Sequence, residues 1–310
     1  MVVRTAGVSR GLLAAVALAA GLGAVPAALG QASAPARLDG AAAFRHVERL
    51  VALGPRPAGS AAAARARAYI VDELKRSGIR TEIRAFEAHT PHGRLTMANV
   101  VAVISGRRAD VILLGGHYDT KWFREFRFVG ANDGGSSAAL LIELARSLAA
   151  GPREYTYWVV WFDGEEARGA WTERDSLYGS RHMAGELQRT GRLPRAVIVA
   201  DMIGDRELGI RREAFSTAWL TELVWASAAR LGYGAQFLAD AMPVEDDHVP
   251  FLRAGVPATL LIDFDYPPWH TADDTLDKVS ARSLATVGHV LLDALPAIED
   301  RLMRSPGGRP

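Results

Sequence analysis

Short apolar runs that alternate with helical patterns constrain the fold of this chain more than any other feature of its sequence. VILLGG at 111–116, YTYWVVWF at 155–162 and AVIVA at 196–200 are almost entirely apolar. Runs of this kind are typical of strands buried on both faces of a sheet. The segment SSAALLIELARSLAA, which begins at residue 136 between the first two runs, has its leucines at helical spacing.

The remaining predicted elements continue the same alternation. Further strands are predicted at 80–88, 98–105 and 256–264, and further helices at 39–53, at 61–77 with Ser60 as its cap, at 216–231 and at 281–298. Strands that alternate with helices indicate an α/β protein. We therefore expect a three-layer sandwich in which helices flank a central mixed, largely parallel twisted sheet.

Polar side chains of the kind that bind metals follow four of the strands where each strand ends. They are His117 and Asp119, Glu165 and Glu166, Asp201, and His270 after a Pro-Pro turn, with Asp133 at the start of a predicted helix. Open α/β sheets bind their ligands at the carboxyl ends of the strands. Each residue alone has a structural explanation, such as a helix cap or a surface turn. Their convergence on one edge predicts a functional site.

Histidine and carboxylates together form a ligand set that suits zinc. Asp133, Glu166 and His270 would provide three ligands and leave the fourth position open, as in catalytic zinc sites. Neighbouring residues at a strand end point in different directions. Glu165 can therefore face the substrate as a general base while Glu166 binds the metal.

The N-terminus has the layout of a secretory signal peptide. Arg4 and Arg10 precede the uncharged run GLLAAVALAAGLGAVPAALG, and cleavage is predicted after Gly30 or Ala34. An uncleaved membrane anchor is the alternative. We expect a signal peptide at 1–30, a linker at 31–38, one catalytic domain at 39–301 and a disordered tail at 302–310. Export to the periplasm or the medium follows, without stable membrane association after cleavage.

Composition excludes several classes of function. The 36 basic and 35 acidic residues nearly cancel, which gives no support for nucleic-acid binding. Cysteine is absent, so a disulfide, a cysteine nucleophile and a thiolate-ligated metal are all excluded. No lipid can be attached at a cysteine after the apolar run.

In chain order, HYD at 117–119, ANDGGS at 131–136, DGEE at 163–166, the strand-end Asp201 and WHT at 269–271 resemble the M28 clan of zinc peptidases. The resemblance covers about residues 40–300. It implies a zinc aminopeptidase-like fold with Asp133, Glu166 and His270 as zinc ligands. It also implies Glu165 as the acid/base and Asp201 as a second catalytic acid.

The resemblance further implies that Asp201 is hydrogen-bonded to Asp246, and that Trp171 and Trp269 form walls of the substrate pocket. His117 matches the residue that binds a second zinc in the aminopeptidases, with Asp119 as its orienting carboxylate. In the cyclases these positions persist without a second metal. His117, Asp119 and Asp246 are therefore expected either at a second metal or around the first.

Two branches of the clan imply different reactions. HYDTKWFREFRFVGA, DGEEARGAWTERDSLYGSRHMA and VEDDHVPFLRAGVPATLLI resemble the animal-type glutaminyl cyclases, which hold one zinc and convert N-terminal glutamine to pyroglutamate. NDGGSSAA is more similar to the aminopeptidases, which hold two zinc ions. The longer matches favour a cyclase with one zinc, acting on peptides or proteins with free N-termini. A two-zinc aminopeptidase is the alternative, and a non-catalytic binding module is the third hypothesis, although no ligand residue is missing.

Overall fold

The structure is a computed structural model that describes residues 1–7 and 38–304. The chain divides into two units, Met1–Ala34 and Pro35–Pro310. Residues 1–7 of the first unit are exposed and form neither helix nor strand. The apolar part of the predicted signal peptide, both predicted cleavage positions, nearly all of the predicted linker and residues 305–310 lie outside the described residues. We find no helix in the described part that combines the length and the hydropathy needed to cross a bilayer.

One mixed sheet forms the centre of the second unit. Its strands are β1 (Arg80–Thr90), β2 (Gly93–Ile104), β3 (Val111–His117), β4 (Thr156–Phe162), β5 (Ala196–Asp201), β6 (Ile210–Glu213), β7 (Phe237–Met242) and β8 (Ala258–Ile262). Their spatial order is β1-β2-β4-β3-β5-β8-β6-β7. The pairs β3/β4, β3/β5, β5/β8 and β6/β7 are parallel, and β1/β2, β2/β4 and β6/β8 are antiparallel.

Helices cover both faces of this sheet. They are α1 (Gly40–Ala52), α2 (Ala61–Arg76), α3 (Gly135–Ala149), α4 (Tyr178–Arg189), α5 (Ala218–Arg230), α6 (Val249–Arg253) and α7 (Ala281–Arg304). Alternate strand residues point to opposite faces. Ile112 and Leu114 of β3 join the cluster built on α1, α2, α3, α5 and α7, whereas Leu113 joins the cluster built on α4 and α6. The predicted three-layer α/β class is thereby confirmed.

Close packing of α3 against the sheet explains a glycine next to the site. A Cβ on Gly116 would lie 2.6 Å from the carbonyl oxygen of Ala200 and 2.9 Å from Cβ of Ser137. Such distances are too short for any side chain. Gly116 therefore lets α3 approach β3 immediately before His117.

Most predicted elements are present, with two kinds of difference. Ser60 caps α2 by accepting a hydrogen bond from the Ala63 amide, as predicted. β2 begins at Gly93, earlier than predicted, because antiparallel pairing with β1 continues to Thr90. The sequence did not predict α4, α6, β6 or β7, and α7 continues to Arg304.

Candidate active site

Ligand-type side chains meet at one edge of the sheet because the strands that lead to them are adjacent and parallel. β3 lies between β4 and β5, and β5 lies beside β8, all in parallel pairs. His117 is the last residue of β3, and Asp201 is the last residue of β5. Glu165 and Glu166 follow β4, and His270 lies in the segment after β8. Strand order thus produces the predicted convergence.

The first group of candidate ligands consists of Asp133, Glu166 and His270. One donor atom from each lies within 4.8 Å of the others. Nε2 of His270 lies 3.3 Å from Oδ2 of Asp133 and 2.9 Å from Oε1 of Glu166. Two carboxylates and an imidazole at this spacing match the ligand set of a catalytic zinc ion.

A second group, His117, Asp133 and Asp201, satisfies the same distance limit. Nε2 of His117 lies 3.0 Å from Oδ1 of Asp201 and 3.3 Å from Oδ1 of Asp133. Asp133 therefore presents Oδ1 to the second group and Oδ2 to the first. This is the arrangement of a carboxylate that can bridge two ions.

Glu165 lies against the second group. Its Oε2 is 4.0 Å from Nδ1 of His117, and its side chain is buried. Asp119 is fully buried, and its Oδ1 lies 3.5 Å from the same Nδ1 and accepts a hydrogen bond from the Glu165 amide. Asp119 thus holds the backbone of Glu165 and lies beside the imidazole of His117.

A cavity of about 430 Å³ opens onto these side chains. Asp133, Glu165, Glu166, Asp201, Asp246 and His270 line its polar side, and Trp171, Ile262, Phe264 and Trp269 are among its apolar walls. Trp171 is 40% exposed and Trp269 is 39% exposed. Trp269 also stacks on His270, with ring centroids 4.2 Å apart. Of the predicted site residues, His117 and Asp119 are not among the residues that line this cavity.

Two non-glycine residues at the site have left-handed backbone conformations. They are Met202, directly after Asp201, with φ of 46°, and His270, with φ of 55°. Such conformations cost about 1–3 kcal/mol each and are retained where surrounding contacts impose them. At both positions the strained residue sits at a candidate ligand.

A protein-family comparison matches residues 99–295 to peptidase family M28. The matched region includes every candidate ligand named above. The chain belongs to peptidase family M28.

M28 relatives with known structures or names are similar over most of the chain. A crystal structure of an Acidobacteriales bacterium glutaminyl cyclase superposes with a TM-score of 0.83 at 42% identity, covering 87% of this chain and 98% of that one. Glutaminyl-peptide cyclotransferase from Bos taurus is 28% identical over 286 residues, 75% of each chain. A Zn-dependent exopeptidase from Parabacteroides distasonis has a TM-score of 0.77 at 24% identity, over 84% of this chain and 98% of that one. That last similarity concerns the fold.

Burial and like charges raise the pKa of several carboxyls in this M28 site. Burial, together with Glu166 and Asp246, raises the pKa of Glu165 well above its ordinary value. Burial and Asp201 do the same to the pKa of Asp246. Burial and Asp133 raise the pKa of Glu166. Crowded carboxylates of this kind require protons or a cation between them.

Nearby carboxylates raise the pKa of both histidines, although burial alone would lower it. Burial alone would lower the pKa of His117, but Asp201, Asp119 and Asp133 raise it well above its ordinary value. Burial also opposes the charge on His270, yet hydrogen bonds to Asp133 and Glu166 raise its pKa to about 9. Asp133 itself has a lowered pKa, because its contacts with both imidazoles outweigh its burial.

Gly134, the first glycine of NDGGSSAA, lies directly against His117. Its φ is 75°, and a Cβ there would lie 2.9 Å from Cε1 of His117 and 2.4 Å from the carbonyl oxygen of Asp119. A side chain at this position would push the imidazole away. Gly134 therefore allows His117 to approach Asp133 and Asp201.

Sequence reasoning missed two residues that contact the candidate ligands. Nζ of Lys121 lies 3.5 Å from Oε2 of Glu166, and Lys121 is the single lysine or arginine among the described residues that line the cavity. Asp274 accepts hydrogen bonds from the backbone amides of Asn132, at 2.8 Å, and Asp133, at 3.1 Å. Lys121 lies in HYDTK and Asp274 lies in WHTADD, each a few positions from a predicted site residue. This proximity in the sequence was the signal that could have identified them.

Proposed function

We propose that this protein is a zinc-dependent glutaminyl-peptide cyclotransferase. It would convert the N-terminal glutamine of a peptide or protein to pyroglutamate and release ammonia. The observation that carries the proposal is the position of Glu165 beside the Asp133–Glu166–His270 group, at a cavity walled by Trp171 and Trp269. Similarity to the named cyclases supports it.

The residues present fit a zinc ion. Asp133, Glu166 and His270 would hold it. Oδ2 of Asp133 and Oε2 of Glu166 are buried, and neither accepts a well-formed hydrogen bond from the described residues, although Nε2 of His270 lies 3.3 Å from the first and Nζ of Lys121 lies 3.5 Å from the second. Buried oxygens without donors are costly unless a cation or a water satisfies them. When bound, zinc supplies a Lewis acid for the side-chain amide oxygen of the substrate.

Glu165 performs the proton transfers in this proposal. It takes a proton from the substrate α-ammonium group, and the freed amine attacks the side-chain amide carbon. A nitrogen–carbon bond forms to close the five-membered lactam, and the bond from that carbon to the amide nitrogen breaks. Glu165 returns the proton to the departing nitrogen, which leaves as ammonia. The attacking nitrogen gives up its second proton to become the lactam N–H, and this proton leaves with the ammonia as ammonium. A carboxyl with a raised pKa suits both halves of this task.

The cavity walls would hold the glutamine in a folded conformation. The amine and the amide carbon must approach to about 3–3.5 Å for reaction. Trp171 and Trp269 provide flat apolar surfaces in the same cavity as the candidate ligands. Phe264 packs against Trp269, with ring centroids 4.7 Å apart. An apolar wall also excludes water, which the intramolecular reaction does not need.

Asp201 and Asp246 form a second pair of acids in this mechanism. Repulsion from Asp201 contributes to the raised pKa of Asp246, which favours the protonated form of Asp246. A protonated Asp246 would donate a hydrogen bond to Asp201 and keep it oriented toward the substrate amine. Asp201 is thereby assigned as the second catalytic acid.

A two-metal aminopeptidase is the second candidate function, and one observation favours it. His117, Asp133 and Asp201 form a further ligand group, and Asp133 faces both groups. Two ions in such positions would support attack of water on the first peptide bond, with Glu165 as the base. Metal analysis of the purified protein, with one or two zinc ions per chain, distinguishes the two states.

The test compares two substrates. The mature protein is incubated with a peptide that begins with glutamine and, separately, with leucine amide. Ammonia release from the peptide, with no cleavage of leucine amide, supports the cyclase. Cleavage of leucine amide alone overturns it.

The variant Glu165→Gln should lose about a hundredfold or more in kcat while it retains zinc, because general acid–base catalysis contributes about 10²–10⁴-fold. Glu143→Gln is the matched control. Glu143 is also buried, but it pairs with His46 and Arg146 on the helical face. Unchanged activity in Glu165→Gln would refute the assignment of this base.

We also propose that the protein is exported. The basic and apolar N-terminal segment supports a signal peptide. Recovery of the protein from the periplasm or medium, with a new N-terminus after Gly30 or Ala34, tests the proposal. Recovery of the intact N-terminus in the membrane fraction would favour the anchor instead.

A further inference from the structure

Arg56 is a completely buried arginine whose side chain makes no hydrogen bond to a carboxylate within residues 1–7 and 38–304. It lies in the GPRPAGS segment between α1 and α2 and is 0% exposed. Its guanidinium donates from Nε to the carbonyl of Tyr118 at 2.8 Å, from Nη1 to that of Val129 at 2.5 Å and from Nη2 to that of Gly130 at 2.7 Å. Its backbone amide donates to Oγ1 of Thr120 at 3.0 Å.

These partners belong to the two segments that present candidate ligands. Tyr118 lies between His117 and Asp119 at the end of β3. Val129 and Gly130 directly precede the turn at 131–134, which contains Asp133. One rigid guanidinium therefore connects two ligand-bearing segments and fixes the distance between them.

The positive charge of Arg56 also interacts with carboxylates of the site. Burial lowers its pKa to about 10, while Asp274, Asp119 and Asp133 act in the opposite direction. The side chain is therefore protonated at neutral pH. A buried cation is costly unless neighbouring anions and hydrogen bonds compensate it, and here both are present.

We propose that Arg56 is a positioning residue for the metal site, which sets the zinc affinity through the spacing of the segments at Tyr118 and Val129–Gly130. This inference rests on the zinc site of the proposed function but not on the reaction catalysed there. An arginine that served the fold alone would affect the melting temperature without changing zinc affinity in the folded protein. Outer partners of metal ligands typically change metal affinity by about 10–100-fold.

The experiment measures the affinity of metal-free protein for Zn²⁺ in chelator-buffered solutions, together with the melting temperature. The variants are Arg56→Met, Arg56→Lys and, for chemical rescue, Arg56→Ala, with Arg146→Met as the matched control. Arg146 is an ion-paired arginine that contacts Glu73 and Glu143 on the helical face, away from the sheet edge.

We expect Arg56→Met to bind Zn²⁺ about tenfold or more weakly than the wild type, with Arg56→Lys intermediate. Arg146→Met should lower the melting temperature and leave zinc affinity within about twofold, since no contact of Arg146 reaches a candidate ligand. Added ethylguanidinium should partly restore zinc affinity to Arg56→Ala. A wild-type affinity in folded Arg56→Met or Arg56→Lys would overturn the inference.

Two other outcomes are also decisive. If no Arg56 variant folds under conditions where Arg146→Met folds, Arg56 serves the fold and the inference fails. If the wild type binds no Zn²⁺, the metal assignment of the proposed function fails first, and the inference fails with it.

Discussion

Protons and zinc are predicted to compete for His270. In the metal-free protein, hydrogen bonds to Asp133 and Glu166 raise the pKa of this imidazole to about 9, against the effect of its burial. Zinc binds an imidazole only in its neutral form, so metal binding must release this proton. Zinc affinity should therefore rise as the pH rises toward 9 and become independent of His270 above it.

The pKa sets the magnitude of the effect. At pH 7, about two units below the pKa of His270, roughly one imidazole in a hundred is neutral. The apparent affinity for zinc should accordingly be about fiftyfold weaker at pH 7 than at pH 9, where half of the imidazole is neutral, equivalent to about 2.3 kcal/mol. Asp133 adds no further proton over this range, because its pKa is lowered rather than raised.

The assay is a zinc titration of metal-free protein in chelator buffers at intervals between pH 7 and pH 10. We expect about one decade of affinity per pH unit up to pH 9 and a plateau beyond. His270→Gln should bind weakly and lose this slope, whereas His46→Gln should keep it, because His46 contacts Tyr69 and Glu143 far from the site. A wild-type affinity that does not change between pH 7 and pH 9 would refute the reasoning.

Two further predictions concern the cavity wall and the support of Asp133. Trp269→Ala should raise KM about tenfold through the loss of about 1–2 kcal/mol of apolar contact, with kcat less affected and with recovery in Trp269→Phe; steady-state kinetics on a glutaminyl peptide measure both. An unchanged KM would mean that Trp269 does not touch the substrate. The two carboxylate oxygens of Asp274 each accept a hydrogen bond from one backbone amide, that of Asn132 or that of Asp133. Asp274→Asn replaces one of these oxygens with an NH₂ group, so one of the two amides should lose its acceptor. We expect about 1–3 kcal/mol of lost stability and about tenfold weaker zinc binding, by denaturant unfolding and zinc titration, and wild-type values for both would contradict this role.

Strand ends were predictable because burial and chemistry are both encoded locally. An apolar run of six or seven residues predicts a central strand, as β3 and β4 show. The residue after such a strand lies at the carboxyl edge whatever the rest of the chain does. That is why the convergence of His117, Asp201 and Glu166 could be predicted without coordinates.

Elements stabilised by distant partners could not be predicted in this way. α4 begins after Leu177 in a left-handed conformation, without a side-chain cap, so the usual signal for a helix start is absent. β6 is the four-residue segment IRRE, and two arginines mask its strand character. It becomes a strand through pairing with β7 and β8.

The supporting residues of the site have the same limitation. Asp274 and Asp133 are 141 positions apart, and nothing near either residue indicates that one binds the backbone of the other. Burial of Arg56 could not be predicted either, because arginine is rarely fully buried. Its partners are carbonyl groups, which carry no side-chain signature in the sequence.

The candidate ligands are the same for the cyclase and the aminopeptidase reaction, so they do not select between the two. The protonation state of Glu165 does distinguish them. In the cyclase reaction Glu165 must return a proton to the leaving nitrogen, which requires the raised pKa that burial and nearby carboxylates produce. A second ion held by His117 and Asp201 would add positive charge close to Glu165, given the 4.0 Å between Oε2 and Nδ1 of His117, and would lower that pKa. It would also displace the proton that His117 otherwise holds between carboxylates. The one-ion state therefore suits proton return to a leaving group, and the two-ion state suits deprotonation of water, so occupancy of the second group should select the reaction.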